Sequence, residues 1–224
     1  MLNYIRGNES VIIVLHEIYG INPHIKWVCE HYLEAGYDVL CPNFIKSEIG
    51  YFDYNREEEA YQYFVNHVGF PHMVDEIGKI LIKLRAAYNN IVLLGFSVGA
   101  TAAWICSEKG NTADEVICYY GSRIRDYQNI TPRCSTLLIF AKEEKSFNVS
   151  KLTNVLEEKK SVNVSVLDGK HGFSDPFSKN FNEQSQRRAQ KLVDEFLIRG
   201  RGAQGGHRGT VLLCQIRIRG REGA

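Results

Sequence analysis

A serine between two glycines marks the residues of this chain that are best suited to do chemistry. Residues 91–99 form an apolar, strand-like run that leads directly into Gly95-Phe-Ser97-Val-Gly99, and small residues follow. A G-x-S-x-G sequence between a strand and a helix is typical of a nucleophile elbow, a sharp turn that lifts its serine above the sheet. The sequence therefore predicts Ser97 as a nucleophile, with the first N–H groups of the following helix facing the reacting oxygen.

A nucleophilic serine needs a base, and parallel sheets carry their functional loops at the carboxyl ends of their strands. Of the seven histidines, four lie within or next to predicted helices and His207 lies in the terminal stretch. His16 and His171 remain, each just after a predicted strand. His171 is flanked by Gly169 and Gly172, and it follows the serine in the chain order serine, acid, histidine. We predict His171 as the base.

The acid that orients this base is expected between the serine and the histidine, after the predicted strand at residues 136–141. The next residues are Lys-Glu143-Glu144-Lys, and either glutamate could accept the Nδ1 proton of His171. A solvated charge cluster is the alternative interpretation of this stretch. Asp168, three residues before His171, is a third candidate, but that position is better suited to shaping the loop.

The elements that must position these residues alternate along the chain. Predicted strands and predicted helices alternate along most of the chain, which indicates βαβ units. We predict an α/β fold, a mostly parallel sheet with helices on both faces. The predicted strands are 2–6, 11–15, 37–44, the run into the elbow, 115–120, 136–141 and 162–167, and the predicted helices are 24–35, 57–66, 71–88, the elbow helix, 150–160 and 181–198.

Composition limits the class of protein. A chain of 224 residues with 44% hydrophobic residues can form one sizeable core, which we assign to one domain at residues 1–198. The formal charge of +1 gives no reason to expect an acidic polymer as partner. Six cysteines occur singly, and neither a signal sequence nor an apolar run of membrane-spanning length is found. We expect a soluble, cytoplasmic protein with no membrane partner.

The terminal stretch 199–224 breaks the pattern, because it is rich in glycine and arginine. Such a composition resists packing, so we predict an extension outside the domain, either unstructured or foreign to it. An Arg/Gly tail could bind nucleic acid, but only this stretch supports that hypothesis.

Several of these segments resemble the dienelactone hydrolase family, over residues 11–198. His16-Glu-Ile-Tyr-Gly-Ile-Asn22 resembles a characteristic segment of that family, and the elbow, Tyr119-Tyr-Gly121 and Asp168-Gly-Lys-His171-Gly-Phe are similar to others. The resemblance implies a compact α/β-hydrolase fold and hydrolysis of a small carboxylic ester or lactone. It also implies that Glu144 is the acid and His171 the base.

Positions next to the serine and at the end of the first long strand suggest further roles. Val98 and Ile18 would donate the two N–H groups of an oxyanion hole. Glu17 ends an apolar strand, and we expect it to accept a hydrogen bond from the Ser97 hydroxyl and to position it. A structural carboxylate bonded to backbone N–H groups is the alternative role for Glu17.

Two positions depart from the family pattern. Members that cleave dienelactone have cysteine where this chain has Ser97, and an arginine for the substrate carboxylate where it has Asp175. Carboxylate-binding candidates remain: Arg56 and Tyr61 resemble a family Arg/Tyr pair offset by one residue, and Arg123 is a further choice. The resemblance therefore supports the class of reaction more strongly than the identity of the substrate.

Neither a metal nor a cofactor is expected. His16-Glu17 begins like the zinc motif H-E-x-x-H, but position 20 is glycine where the second histidine is required. An acyltransferase or peptidase on the same scaffold, or a binding protein that has lost turnover, are the alternatives to an ester hydrolase. The sequence leaves open the acyl group, the leaving group and the oligomeric state.

Overall fold

A single seven-stranded sheet organises the chain in the computed structural model, which describes residues 1–45, 48–109 and 113–203. The strands are β1 (Leu2–Tyr4), β2 (Ser10–Leu15), β3 (Asp38–Cys41), β4 (Asn90–Phe96), β5 (Glu115–Tyr119), β6 (Ser135–Glu143) and β7 (Val162–Lys170). The helices of this part of the chain are α1 (Pro23–Glu34), α2 (Glu57–Tyr63), α3 (Gly69–Leu84), α4 (Val98–Cys106), α5 (Val149–Glu157) and α6 (Glu183–Ala203). The predicted α/β class is confirmed.

The strands lie in the order β1-β3-β2-β4-β5-β6-β7. Only β1, at one edge, pairs antiparallel; every other pair of neighbours is parallel. The chain runs outward in one direction from β2 and in the other from β4. Loops after these two central strands diverge to opposite sides, which opens a crevice at their carboxyl ends, the usual place for a site in an open parallel sheet.

Helices cover both faces of the sheet, as the apolar strand sequences require. Alternate side chains of β2 enter two separate cores: Ile12 and Val14 pack with α1 and α6, whereas Val11, Ile13 and Leu15 pack with α3, α4 and α5. Both sets are fully buried. This double coverage fixes the central strands rigidly, so the loops at their ends are held in defined positions.

Several boundaries differ from the predictions. The predicted helix at 57–66 is α2 followed by a turn of π-helix at Phe64–Val68, and α3 begins directly at Gly69. The predicted strand at 37–44 ends at Cys41, because Pro42 has no N–H to continue the ladder. The last helix continues to Ala203, so the predicted domain boundary at 198 falls inside it.

Most of the glycine- and arginine-rich stretch, residues 204–224, lies outside the described residues. Within the described chain, five cysteines carry free thiols, four of them buried. No helix in this part of the chain is long and apolar enough to cross a membrane.

Candidate active site

The predicted elbow forms a sharp turn between β4 and α4. Ser97 lies at φ 52° and ψ −111°, a strained conformation for a residue with a side chain. The two flanking glycines allow the chain to turn so tightly. A Cβ atom at Gly95 would lie 2.4 Å from the Gly99 carbonyl oxygen, and one at Gly99 would lie 2.3 Å from the Leu15 carbonyl oxygen. Neither position can hold a larger residue without moving the backbone.

The structure brings the predicted serine, histidine and glutamate together. His171 Nε2 lies 2.9 Å from Ser97 Oγ, and His171 Nδ1 lies 2.9 Å from Glu144 Oε1. Ser97 follows β4, Glu144 follows β6 and His171 follows β7. The carboxyl ends of these parallel strands lie at the same edge of the sheet. With the imidazole proton on Nδ1, His171 donates to Glu144 and accepts from the Ser97 hydroxyl. This arrangement can remove the proton from Ser97.

An irregularity in β6 decides which glutamate reaches the histidine. The register between β6 and β7 shifts between Ala141 and Glu143, and Glu143 ends opposite Lys170. Glu143 is exposed, whereas the Glu144 side chain is only 4% exposed and points to His171. Asp168, the third candidate, forms an ion pair with Lys142 on the surface. The geometry therefore selects Glu144.

Charge around the imidazole favours its protonated form. Burial alone would lower the pKa of His171, but the hydrogen bond and charge of Glu144 raise it above the ordinary value. Glu17 and Glu57 act in the same direction at longer range. A raised pKa makes His171 a stronger base and stabilises the imidazolium that forms when it accepts a proton.

The two predicted oxyanion donors meet beside the serine. Val98 is the first residue of α4, and Ile18 lies in the loop after β2, the strand next to β4. Within the described part of the chain, neither backbone N–H has a hydrogen-bond partner. Free N–H groups at this point can bind a negatively charged oxygen.

His16 holds the Ile18 loop in place, a role that the sequence did not indicate. Its Nδ1 donates to the Glu17 carbonyl oxygen at 2.6 Å, and its Nε2 accepts from the Phe44 N–H at 3.0 Å. Burial lowers the pKa of His16 to about 4, so the ring is neutral at physiological pH. The first of these bonds holds the peptide group that contains the Ile18 N–H, and the second ties it to the segment after β3.

Glu17 does not accept the hydrogen bond that we predicted from Ser97, because the serine hydroxyl faces His171. Its Oε1 has no hydrogen-bond partner in the described structure, and the nearby Tyr120 hydroxyl acts to lower the pKa of the carboxyl group. Only 5% of Glu17 is exposed. Burial, together with the charge of Asp175, raises the pKa of Glu17 to about 7. Glu17 is therefore a buried carboxyl group that exchanges its proton near neutrality.

We predicted no role for Tyr120 from the sequence, although it lies in Tyr119–Gly121, which resembles a segment of the dienelactone hydrolase family. It follows β5 at φ 39° and is fully buried. Its ring packs against the His171 ring at 4.9 Å between centroids, and its hydroxyl lies 3.1 Å from Ser174 Oγ. Tyr120 thus links the imidazole, the Glu17 carboxyl group and the loop after β7.

Asp175, which occupies the position of the family arginine, fastens two loops together. The Tyr54 hydroxyl donates to Asp175 Oδ2, and Asn22 Nδ2 donates to the Tyr54 oxygen at 3.1 Å. Asp175 Oδ1 accepts from the Phe177 N–H at 2.8 Å, and the residue is 1% exposed. Both carboxylate oxygens are used within the protein, so the residue has a structural role here.

Arg56, Tyr61 and Arg123, the predicted substrate contacts, lie at the surface, and both arginines have a local carboxylate partner. Arg56 forms two hydrogen bonds with Glu59, and Arg123 pairs with Asp126 at 3.1 Å. Each partner lies three residues further along the same helical segment, where such pairs form readily. Tyr61 is 42% exposed. Sequence spacing did not reveal that both guanidinium groups would be taken by local carboxylates.

Among the residues that the structure describes, no group of three or more histidine, cysteine, aspartate or glutamate side chains is placed to hold a metal ion.

The parallel sheet, the serine elbow and the histidine loop after the last strand together define an α/β-hydrolase. Sequence comparison gives the family: the profile of the dienelactone hydrolase family matches residues 4–199. The chain belongs to the dienelactone hydrolase family and is a carboxylic ester hydrolase.

Several individual proteins are similar to this chain. YczH of Bacillus subtilis strain 168 is 39% identical over 179 residues, covering 78% of this chain and 85% of that protein. The dienelactone hydrolase of Anabaena variabilis is similar in structure, with a TM-score of 0.65 at 16% identity and 88% of each chain covered. Thermogutta terrifontis esterase 2 phosphonylated by cyclosarin has a TM-score of 0.61 at 12% identity, covering 86% of this chain and 83% of that chain. The likeness to the two solved structures concerns the fold.

Proposed function

We propose that this protein hydrolyses small carboxylic esters or lactones through Ser97, His171 and Glu144, by way of an acyl-enzyme. The observation that carries the proposal is the chain of two 2.9 Å hydrogen bonds from Ser97 Oγ through the His171 ring to Glu144. A nucleophile, its base and the group that orients the base stand in the order that acyl transfer needs.

The first half of the reaction acylates the serine. His171 Nε2 takes the Ser97 proton as Oγ attacks the carbonyl carbon, and Glu144 stabilises the resulting imidazolium. The N–H groups of Ile18 and Val98 bind the oxyanion of the tetrahedral intermediate. His171 then gives the proton to the leaving oxygen, the carbon–oxygen bond breaks, and an alcohol departs, or the ring of a lactone opens.

The second half regenerates the enzyme. Water replaces the alcohol, and His171 removes a proton from it as the hydroxide attacks the acyl carbon. The tetrahedral intermediate collapses, the proton returns to Ser97 Oγ, and a carboxylic acid is released. No step needs a group from outside the chain other than water and the ester.

Turnover of p-nitrophenyl acetate, combined with labelling by a fluorophosphonate, tests this mechanism. The Thermogutta esterase supports the choice of probe, since it is phosphonylated by cyclosarin. We expect one label per chain on Ser97, and a loss of kcat of roughly 10⁴–10⁶ in both Ser97→Ala and His171→Ala. The double variant should lose little more than either single one. Full activity of a folded Ser97→Ala variant would contradict the mechanism.

A further inference from the structure

The strand β7 forms one edge of the described sheet, and most of it is uncharged. β1, at the opposite edge, has three residues, whereas β7 has nine. Residues 162–167 are Val-Asn-Val-Ser-Val-Leu, and the register shift with β6 comes after them. Edge strands of soluble proteins are commonly short, or contain charges, prolines or bulges, because an open row of N–H and C=O groups can pair with another chain. Residues 162–167 have none of these protections.

The hydrogen bonds between β6 and β7 show which backbone groups face the open edge. The Thr136 N–H donates to the Ser161 carbonyl oxygen at 2.8 Å, and Thr136 lies opposite Val162 in the parallel pair. In a parallel ladder the two residues that flank the opposite residue form the bonds, so the odd-numbered residues of β7 direct their N–H and C=O groups toward β6. The even-numbered residues direct theirs away from it. Val164 and Val166 therefore present both groups to the open edge.

Within the described part of the chain, the two ends of this row have partners and the middle has none. The Val162 N–H donates to the Lys159 carbonyl oxygen, and the Asp168 carbonyl oxygen accepts from a serine hydroxyl of α6. The N–H and C=O groups of Val164 and Val166 have no partner among the described residues. The Val166 side chain is 41% exposed beside them. The middle of the row can therefore accept a further strand.

The same strand of a second copy of this chain can pair with this row. Two-fold symmetry makes such a pair antiparallel, and even-numbered residues must then oppose even-numbered ones. When Val164 lies opposite Val164 of the second copy, Val162 lies opposite Val166. The Val164 N–H of each copy then donates to Val164 of the other, and the Val166 N–H donates to the Val162 carbonyl oxygen. The unpartnered N–H groups on both strands are all used in this register.

Charges at the two ends of β7 favour this register over its neighbours. With Val164 on the two-fold axis, Lys160 of one copy faces Asp168 of the other. Moving the axis one residue toward the amino end would bring Glu158 to Asp168. Moving it one residue toward the carboxyl end would bring Lys160 to Lys170. All four charged side chains are exposed, and like charges directly opposite each other are destabilising.

Asp168 has room for this additional cation. Lys142 of the same copy donates to Asp168 Oδ1 at 2.9 Å, and the second carboxylate oxygen has no hydrogen-bond partner among the described residues. Lys160 of the second copy can therefore pair with Oδ2.

We propose that the edge of β7 is a dimer interface, at which a second copy of this chain pairs antiparallel with Val164 on the two-fold axis. The two seven-stranded sheets then form one continuous sheet. Few side chains lie along this edge, so the interface is small and its Kd is expected to be roughly 10 µM. Because His171 directly follows β7, pairing also stabilises the strand next to this histidine. The inference does not depend on the serine mechanism.

Sedimentation velocity tests whether the full chain, of 25.5 kDa, associates. We expect the monomer mass at about 1 µM and a mass approaching twice that value at about 100 µM. Val166→Lys places a charge on the open edge and should keep the chain monomeric at both concentrations. Ile82→Lys is the matched control: Ile82 is a 72% exposed residue of α3, and the variant should dimerise like the wild type. Far-UV circular dichroism verifies that both variants are folded.

Val164→Cys tests the register. Opposite residues of a hydrogen-bonded antiparallel pair have Cα atoms about 5.5 Å apart, a distance that a disulfide can span. With copper phenanthroline as oxidant, Val164→Cys should form a disulfide-linked dimer. Val166→Cys is the matched control, because Val166 is more exposed but its two copies would lie about 13 Å apart. It should remain uncrosslinked. Both substitutions are made in Cys214→Ser, which on its own measures the background from the other cysteines.

Three results would overturn the proposal. The first is a full chain that stays monomeric at about 100 µM. The second is a dimer that survives Val166→Lys, since the interface would then lie elsewhere. The third is crosslinking through Val166→Cys in place of Val164→Cys, which would give a different register.

Residues 204–224 are the alternative occupant of this edge. If the full chain is monomeric and deletion of these residues produces a dimer, they cover β7 in the full chain and the proposed interface is wrong. If the full chain and the deleted chain dimerise with the same Kd, the second copy is the occupant.

Discussion

The Glu144 carboxylate acts on the pKa of His171 through a single hydrogen bond of 2.9 Å. Since a base must be neutral to accept a proton, kcat/KM should fall as the pH drops through the raised pKa of His171. Glu144→Gln removes the charge that raises this pKa. The acidic limb of a pH profile of kcat/KM should therefore move to lower pH, while kcat falls by roughly 10³–10⁴.

Glu143→Gln provides the matched control, because Glu143 is adjacent in sequence and exposed at the end of β6. It should leave both kcat and the pH profile unchanged. Equal effects of the two substitutions would show that Glu144 acts only through general charge.

Burial of Glu17 should make the stability of the protein depend on pH. Its pKa is about 7 in the folded chain and near 4.5 when unfolded, so the native state binds the extra proton between these values. Stability contributed by this group is present at low pH and is lost as the pH rises through 7. Glu17→Gln removes the titration and should raise the melting temperature by several degrees at pH 8, corresponding to at most about 3 kcal/mol.

The advantage of Glu17→Gln should shrink as the pH falls toward 5, where the native glutamate already holds its proton. Thermal unfolding across this pH range measures it, with Glu143→Gln as a reference that should follow the wild type. A pH-independent difference would mean that Glu17 ionises normally in the folded protein.

At the scale of elements, the loop after β2 is held by two hydrogen bonds to the neutral imidazole ring of His16. His16→Leu would leave the Glu17 carbonyl and the Phe44 N–H without their partner. The Ile18 N–H would lose its orientation, and loss of one oxyanion donor costs roughly 10²–10³ in kcat. We expect that range for His16→Leu, measured with p-nitrophenyl acetate.

His16→Gln is the conservative counterpart, because a carboxamide can donate to one of these groups and accept from the other. It should retain kcat within about fivefold of the wild type. If His16→Leu is as active as His16→Gln, the loop does not depend on these bonds.

Elements with a single strong pattern were predictable from sequence, and local irregularities were not. The apolar run before Ser97 and the glycines beside it gave the elbow, because sterics leave few alternatives for G-x-S-x-G. The shift in β6 that places Glu144 occurs in its pairing with β7, and the π-helical turn contributes Phe64 to a core formed by residues far apart in sequence. Such features arise from tertiary contacts, so periodicity cannot reveal them.

The same distinction holds for individual side chains. Chain order pointed to His171, but the packing of its ring against Tyr120 joins residues far apart in sequence. Arg56 is followed by three glutamates, and the sequence does not show that its guanidinium group pairs with Glu59. Sequence thus located the reacting groups better than their supports.

At the scale of the whole molecule, the last described element is α6, which ends at Ala203. The family match ends at residue 199. Deletion of residues 204–224 should therefore leave kcat unchanged and the melting temperature within about 1 °C of the full chain. Differential scanning calorimetry of both chains measures this. A drop of several degrees would mean that part of this stretch packs against the domain.

His171 directly follows β7, the edge strand of the described sheet on the side opposite β1. Among the described strands β7 pairs only with β6, and of its residues only Leu167 is buried, whereas every residue of β4 is buried. Strands of this kind open at lower free energy than central ones. In low concentrations of denaturant, hydrogen exchange should thus reach the amides of β7 before those of β4, and hydrolysis should decline while the interior remains protected. Under the proposed mechanism, activity would then report the integrity of this border of the sheet, because its opening would leave Ser97 in place without its base.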